Sequence, residues 1–307
     1  MMLRAAGFSL SVLLFAGIAA CRDKGEEGTD STRASVSPVN PASSPGGTNW
    51  NADAGPVMIV SIGTGGDSIA VVLPEATDST VASFEGTSPP ISGLSFDLFG
   101  RAGRVGSSIT ALPLPPVDTA EECDSWPLAR LRSARSNWRV GFATGHVRAI
   151  ALDSIEAIPS ADSAALAVSL AQTAATLPVA SDPTFRGLPF RVRSAYMFRL
   201  DSVEIVITDV VRSVNEEANP RLEHLLIIGE RPIGARGKYD VAYHKRTAGA
   251  EESTQATEVL TAVLIGAAKR PAIVVNIEYD DGGKLGLIER AGAGEWKATW
   301  TSAYTDC

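Results

Sequence analysis

The 307-residue chain has only three cysteines, three histidines and five tryptophans, and aromatic residues make up 6% of it. Each scarcity excludes something. Cysteines 123 and 307 have no histidines nearby and make a poor zinc site. Basic side chains number 27 against 35 acidic ones, a formal charge of −8. Sequence-independent nucleic-acid binding needs clustered Lys and Arg to neutralise phosphates, so that class drops out. No serine stands in a Gly-x-Ser-x-Gly elbow, and no pair of histidines flanks a glutamate at helical spacing, so the common hydrolase signatures are absent. The main apolar run, residues 8–20, falls short of the roughly 20 residues that span a bilayer. A stable transmembrane helix is not expected.

That short run carries the clearest signal in the chain. Arg4 supplies a positive start, the apolar stretch follows, and Ile18-Ala19-Ala20 lead into Cys21. This is the layout of a cleaved export signal. A cysteine directly after the small residues resembles the lipobox of bacterial lipoprotein precursors. The resemblance covers about the first 21 residues. It implies cleavage before Cys21, acylation of that thiol, and attachment to a lipid bilayer through the acyl chains, which hold far more firmly together than one chain alone. Arg22 stands where an aspartate would, by the same resemblance, favour inner-membrane retention, so an outer-membrane, extracytoplasmic location is expected if the host has two membranes. Residues 21–55 then read as lipidated cysteine and tether. They are rich in Ser, Thr, Pro, Gly and Asp and nearly free of large apolar side chains, and cannot bury enough surface to offset their ordering entropy. The reach of such a chain is on the order of 30 Å.

With Cys21 lipidated, Cys123 and Cys307 remain as an even pair in an oxidising compartment, which predicts a disulfide between them. It would close a loop of about 185 residues and contribute up to about 5 kcal/mol in the chain-entropy model.

About 250 residues are left for the folded part, enough for one large or two modest domains. Short β-rich runs at 57–62, 68–73, 80–84, 94–99 and 105–112, separated by Gly, Pro and Asp clusters, suggest a small β-sandwich or barrel at 56–116. The Gly-rich segment 63–67 is followed by a strand and reads as a hairpin turn rather than a phosphate cradle. The Pro-rich stretch 112–116 marks the expected domain border. Residues 117–307 read as α+β. Leu166, Leu170 and Leu177 recur at helical spacing over 161–177 behind a capping Ser160. Residues 251–268 repeat the device with Val259, Leu260, Val263 and Leu264, acids first and Lys269-Arg270 last. Between them, Phe190, Val192, Tyr196, Phe198 and Leu200, then Val203, Ile205, Ile207 and Val211, alternate about an Asp201-Ser202 turn. This predicts a hairpin with all nine on one face and Arg199 opposite Glu204. Further strands are read at 225–229, 239–244, 273–279, 285–289 and 296–301. The expected fold class is thus α+β and strand-dominated: a small all-β N-terminal domain, then an antiparallel-sheet domain with two main helices. The two helix-plus-hairpin units, ending on Arg212 and Arg290, invite a reading as an internal duplication.

Chemistry-bearing candidates are few. Segment 212–231 is the densest polar stretch, and if Glu216, Glu223 and His224 converged there they could supply a general acid and base or hold a divalent metal. A second cluster joins His244, Lys245 and Arg246 with Glu251 and Glu252, where a strand is expected to hand over to a helix. Arg191, Arg193 and Arg199 share one face of the first hairpin strand and could form a basic stripe for an anionic ligand. Trp296 and Trp300 fall on one side of the last strand, suited to stacking on a sugar or to a core role. No cofactor or resident metal is expected. The chain reads as a membrane-anchored binding or interaction protein of the cell envelope engaging a protein partner or surface ligand. The alternative is a metal-dependent or acid/base hydrolase with its site in 212–231.

Overall fold

The computed structural model of the chain describes residues 55–62, 65–75, 91–111, 126–133, 136–178, 182–215 and 219–305. Cys21, Cys123, Cys307 and Glu216 lie outside these residues, as do the tether, the Pro-rich stretch and the run at 80–84. The fold is strand-dominated and antiparallel, with one α-helix among the described residues.

The first sheet orders its strands β4-β3-β6-β1-β2-β5. These are β1 (Met58–Ser61), β2 (Ser68–Val72), β3 (Ser95–Gly100), β4 (Gly103–Ile109), β5 (Leu128–Arg130) and β6 (Val140–Ala143). The β1–β2 hairpin expected around the Gly-rich segment is present, with Ser61 paired to Ile69. The two edge strands then meet. Thr110 bridges Leu131, Ala111 N–H donates to Arg130 O at 2.8 Å, and Arg132 N–H donates to Ile109 O at 2.9 Å. This closes the sheet into a small barrel and leaves little open edge. Alternate residues Ile59, Ile69, Val71, Phe96 and Leu98 fill the interior with Trp138, whose Nε1 donates to Gly66 O at 2.8 Å. Gly141 is there for room: a Cβ would stand 2.7 Å from Ile59 Cγ1 and 3.0 Å from Leu98 Cδ2. The expected border at 112–116 falls within this barrel, because β5 and β6 come from beyond it. Closing the barrel requires those two strands.

The second sheet, ordered β16-β15-β14-β13-β7, is the middle layer. Its strands are β7 (Val147–Ile150), β13 (Ala256–Ile265), β14 (Arg270–Glu278), β15 (Gly283–Gly292) and β16 (Glu295–Thr301). Ala272 and Val274 on one face of β14 pack with Met58, Phe99 and Phe142 of the barrel exterior. Ile273, Val275 and Ile277 on the other face pack with Ile205, Ile207, Leu226 and Ile228 of the third sheet. That sheet runs β12-β11-β10-β9-β8, from β8 (Asp153–Ser154), β9 (Arg191–Leu200), β10 (Val203–Val214), β11 (Arg221–Pro232) and β12 (Asp240–Ala250). Helix α1 (Ser160–Thr176) covers its outer face with Leu166, Leu170 and Ala174, against Ala195, Val206, Val210 and Leu225. Each fully buried leucine or valine among them contributes roughly 1.5–3 kcal/mol.

Two sequence expectations are corrected here. Residues 251–268 form no helix. A single 3₁₀ turn at Glu251–Ser253 leads into β13. Leu260 is a bulge, since Val259 pairs with Val275 and Thr261 with Val274. Val259 and Ala262 therefore face the third sheet while Leu260 and Val263 face the barrel. The extra residue turns a period of two into a spacing of three, which imitates a helix in sequence. Without a second helix the proposed duplication has no structural counterpart. The first helix stands as expected, except that Pro159 occupies the cap and Ser160 is already helical.

The β9–β10 hairpin forms with the expected turn, Leu200 opposite Val203 and Arg199 opposite Glu204. Asp201 takes the left-handed conformation at φ 50°, which aspartate tolerates. Its nine apolar residues do not share a face. Ser194 pairs with Asp209 but Val192 pairs with Val210, so Arg193 is bulged out. Past that point the faces exchange, and Phe190 and Val192 lie under α1 instead of in the inter-sheet core.

Candidate ligand-binding groove

A groove of about 1090 Å³ opens between α1 and the edge where β7, β8 and β9 come together. Ala165, Leu166 and Ser169 of α1 form one wall, Ala149, Ile150 and Leu264 belong to the middle sheet, and consecutive residues of β9 from Met197 to Leu200 run along it. β8 is only two residues long and pairs with Tyr196 and Met197 alone. Among the described residues, the rest of that edge of β9 has no strand partner. Main-chain donors and acceptors are therefore presented beside an apolar wall.

The polar end of the groove is built from three strands. Glu204 on β10 accepts hydrogen bonds from Tyr239 Oη at 2.6 Å and from Arg231 Nη2 of β11 at 2.5 Å, and Arg199 Nε lies 3.7 Å away. The Arg231 guanidinium sits over the Tyr239 ring at 4.2 Å and donates to Gly237 O at 3.0 Å. Gly229 allows Tyr239 to lie close, because a Cβ there would come within 2.8 Å of Tyr239 Cβ. Burial works to raise the pKa of Glu204, but the hydrogen bonds from Tyr239 and Arg231 outweigh it and hold the carboxyl below the ordinary glutamate range. Burial and the neighbouring carboxylate raise the Tyr239 phenol, keeping it a neutral donor. The cluster is a fixed, ionised recognition surface. A phenol held neutral is not an activated nucleophile.

The candidates read from sequence are dispersed. Much of the supposed loop 212–224 is strand, since β10 extends to Val214 and β11 begins at Arg221. Glu223 and His224 are neighbours on β11 and point to opposite faces. Glu223 faces the α1 side, where it accepts from Arg212 Nε at 2.5 Å and pairs with Arg246. His224 lies between the sheets, its Nδ1 3.2 Å from Asp209 Oδ2. The pair does not converge, which removes the geometric basis for an acid/base or metal site there. Among the described residues, no group of three or more His, Cys, Asp or Glu side chains is arranged to hold a metal ion.

The basic stripe is also broken by the bulge. Arg193 Nε donates to Asp209 at 2.5 Å and its Nη2 to Thr257 O at 3.1 Å, whereas Arg199 stands at the groove, and Arg191 is exposed. His244 is exposed on β12, and Arg246 of the same strand is drawn to Glu223. Trp296 and Trp300 part company because Thr299 is bulged between Ala298, opposite Ile288, and Trp300, opposite Leu287. Trp296 is buried between the sheets and donates to Glu230 at 2.7 Å, while Trp300 packs against the barrel-side core. Glu204, Arg231 and Tyr239 escaped sequence reading because they come from β10, from β11 and from the residue just before β12. The one available signal was the alternation of the hairpin, which set Glu204 opposite Arg199.

No protein-family model, no curated protein and no solved structure matches this chain.

Proposed function

We propose that this chain is a membrane-anchored extracytoplasmic lipoprotein whose folded part is a binding protein, taking an extended segment of a cell-envelope partner into the groove beside β9. The observation that carries this reading is the open edge of β9 lying along an apolar groove that ends in the Arg199–Glu204–Arg231–Tyr239 cluster. Strand addition of this kind draws affinity from main-chain hydrogen bonds and specificity from side-chain pockets. The anchor rests on the basic start, the short apolar run and the small residues before Cys21, with acyl chains on that cysteine entering the bilayer, and Arg22 favours outer-membrane delivery. In this reading the six-stranded barrel is the small all-β N-terminal part, joined to the anchor by the polar tether.

The test uses the full chain in its host cells, with a photo-crosslinking residue at Arg199 and, as control, at Val168, which is 57% exposed on α1. The expected result is one partner crosslinked at 199 and not at 168, through a single contiguous peptide identified by mass spectrometry. Equal labelling at both positions, or none at 199, overturns the groove as the binding site.

A further inference from the structure

We infer that a second cavity, between Phe190 and the last turn of α1, is a binding site for a small organic anion carrying a carboxylate or phosphate group. The cavity encloses about 510 Å³, within the usual range for small-molecule sites, and shares no lining residue with the groove. Three arginines line it: Arg186, Arg212 and Arg246. Arg212 on β10 and Arg246 on β12 flank Glu223 on β11, and each takes one oxygen of that fully buried carboxylate. One negative charge thus serves two positive ones. Arg212 Nη1 also donates to Leu188 O at 3.4 Å, while Arg212 Nη2 and Arg246 Nε and Nη2 have no partner among the described residues and are not sealed from solvent. Arg186 is exposed and forms no ion pair among the described residues. Asp182, the acid on the rim, is already engaged by Thr184 N–H and by Arg221.

The guanidiniums are held in place by aromatic faces. Arg212 lies 4.6 Å from the Phe190 ring centre and 5.6 Å from that of Phe185, and Arg246 lies 5.8 Å from Phe190. Burial lowers the pKa of Arg212, and burial together with the charge of Arg212 lowers that of Arg246, so both cations are under-compensated where they stand. An oxyanion presented to the free N–H groups would relieve this, in the paired geometry that guanidinium and carboxylate or phosphate share. The carbonyl end of α1 at Ala174 and Leu177 opposes an anion with about half a unit of negative charge, less than the excess positive charge of the arginines. Leu177, Pro189 and Phe190 give the ligand's organic part an apolar wall. Within a chain of net charge −8, three arginines about a single carboxylate stand apart.

The test is calorimetric titration of the purified full chain with benzoate and with inorganic phosphate, at low ionic strength. Saturable binding of at least one is expected. Arg186→Gln should weaken it about two- to fivefold, the effect of losing one exposed ion pair. The double variant R186Q/R246Q should abolish it, while R199Q in the groove should leave it unchanged. Circular dichroism identical to the parent shows that the variants fold, and R186Q alters only an exposed side chain. Displacement of benzoate by phosphatidylglycerol vesicles, but not by phosphatidylcholine vesicles, assigns the anion to a lipid headgroup. Displacement by inorganic phosphate alone assigns it to a free solute. Absence of saturable binding by either anion, or equal binding by parent and folded double variant, overturns the site. Neither result bears on the crosslinking outcome at Arg199.

Discussion

Arg290 of β15 grips Glu230 of β11 across the interface between the middle and third sheets, Nε to Oε1 at 2.7 Å and Nη2 to Oε2 at 2.8 Å. Trp296 Nε1 and Gly294 N–H complete the shell of the carboxylate at 2.7 and 3.1 Å. Burial alone would raise the pKa of Glu230, yet these four donors prevail and lower it. Glu230 is buried and Arg290 largely so, and taking away the carboxylate leaves Arg290 with only the more distant charge of Asp201. Glu230→Gln should cost about 3–5 kcal/mol in urea unfolding at neutral pH. A loss below about 1 kcal/mol would show that the pair contributes little.

The same shift fixes a pH dependence. A carboxyl group held below its unfolded value adds stability above that value, 4.5 for glutamate, and gives it up as pH falls through the lower folded value. Glu204 behaves alike, for its pKa is also lowered. Stability should therefore decline as pH drops below about 4.5, and the double variant E204Q/E230Q, weaker at neutral pH, should decline less steeply there. Parallel curves for parent and variant between pH 5 and pH 3 would refute the assignment.

Glu223 and His224, adjacent on one strand, should respond as two separate structural residues. Glu223→Gln leaves Arg212 and Arg246 buried with half their partner and should cost about 3 kcal/mol or more. His224→Ala leaves Arg193 to hold Asp209 and should cost about 1–2 kcal/mol. A double-mutant cycle between them should give coupling within about 0.5 kcal/mol of zero. Strong coupling would mean that the two side chains meet after all.

The barrel interior tolerates no added atom at Gly141. Gly141→Ala should destabilise by about 1–3 kcal/mol, as overpacking does, and Ile59→Val, which trims the opposing side chain, should recover part of the loss. Additive losses in the double variant would contradict the close approach of Gly141 to Ile59.

Leu260 tests the strand assignment of β13. Deleting it removes only the extra residue, so Val259 and Thr261 become consecutive opposite Val275 and Val274, and every other residue of β13 keeps its partner and its face. Cooperative unfolding should survive the deletion. The loss should be about 2–5 kcal/mol, close to that of Leu260→Ala, because both variants remove the same side chain from the barrel-side core. Loss of cooperative unfolding in the deletion, with Leu260→Ala still cooperative, would show that Leu260 is not the extra residue.

What the sequence determined was local. The β1–β2 and β9–β10 hairpins, helix α1 and the strands that follow were legible because turn residues and alternation act between near neighbours. The pairing of Arg199 with Glu204 followed from the turn alone. Tertiary structure decided the rest. Bulges at Arg193, Leu260 and Thr299 each shift a strand by one residue, so Phe190 left the inter-sheet core, β13 imitated a helix, and the two tryptophans separated. A bulge is stabilised by packing from strands far away in the chain, and nothing in the run of residues around it need announce it. The barrel crosses the Pro-rich stretch for a similar reason: its edge strands close on partners beyond 125, a contact that is long in sequence and short in space. The groove and the arginine cavity belong wholly to that second level. Each gathers residues from α1 and several strands, and their chemistry exists only once the third sheet has set Glu204 beside Arg231, and Arg212 and Arg246 about one carboxylate.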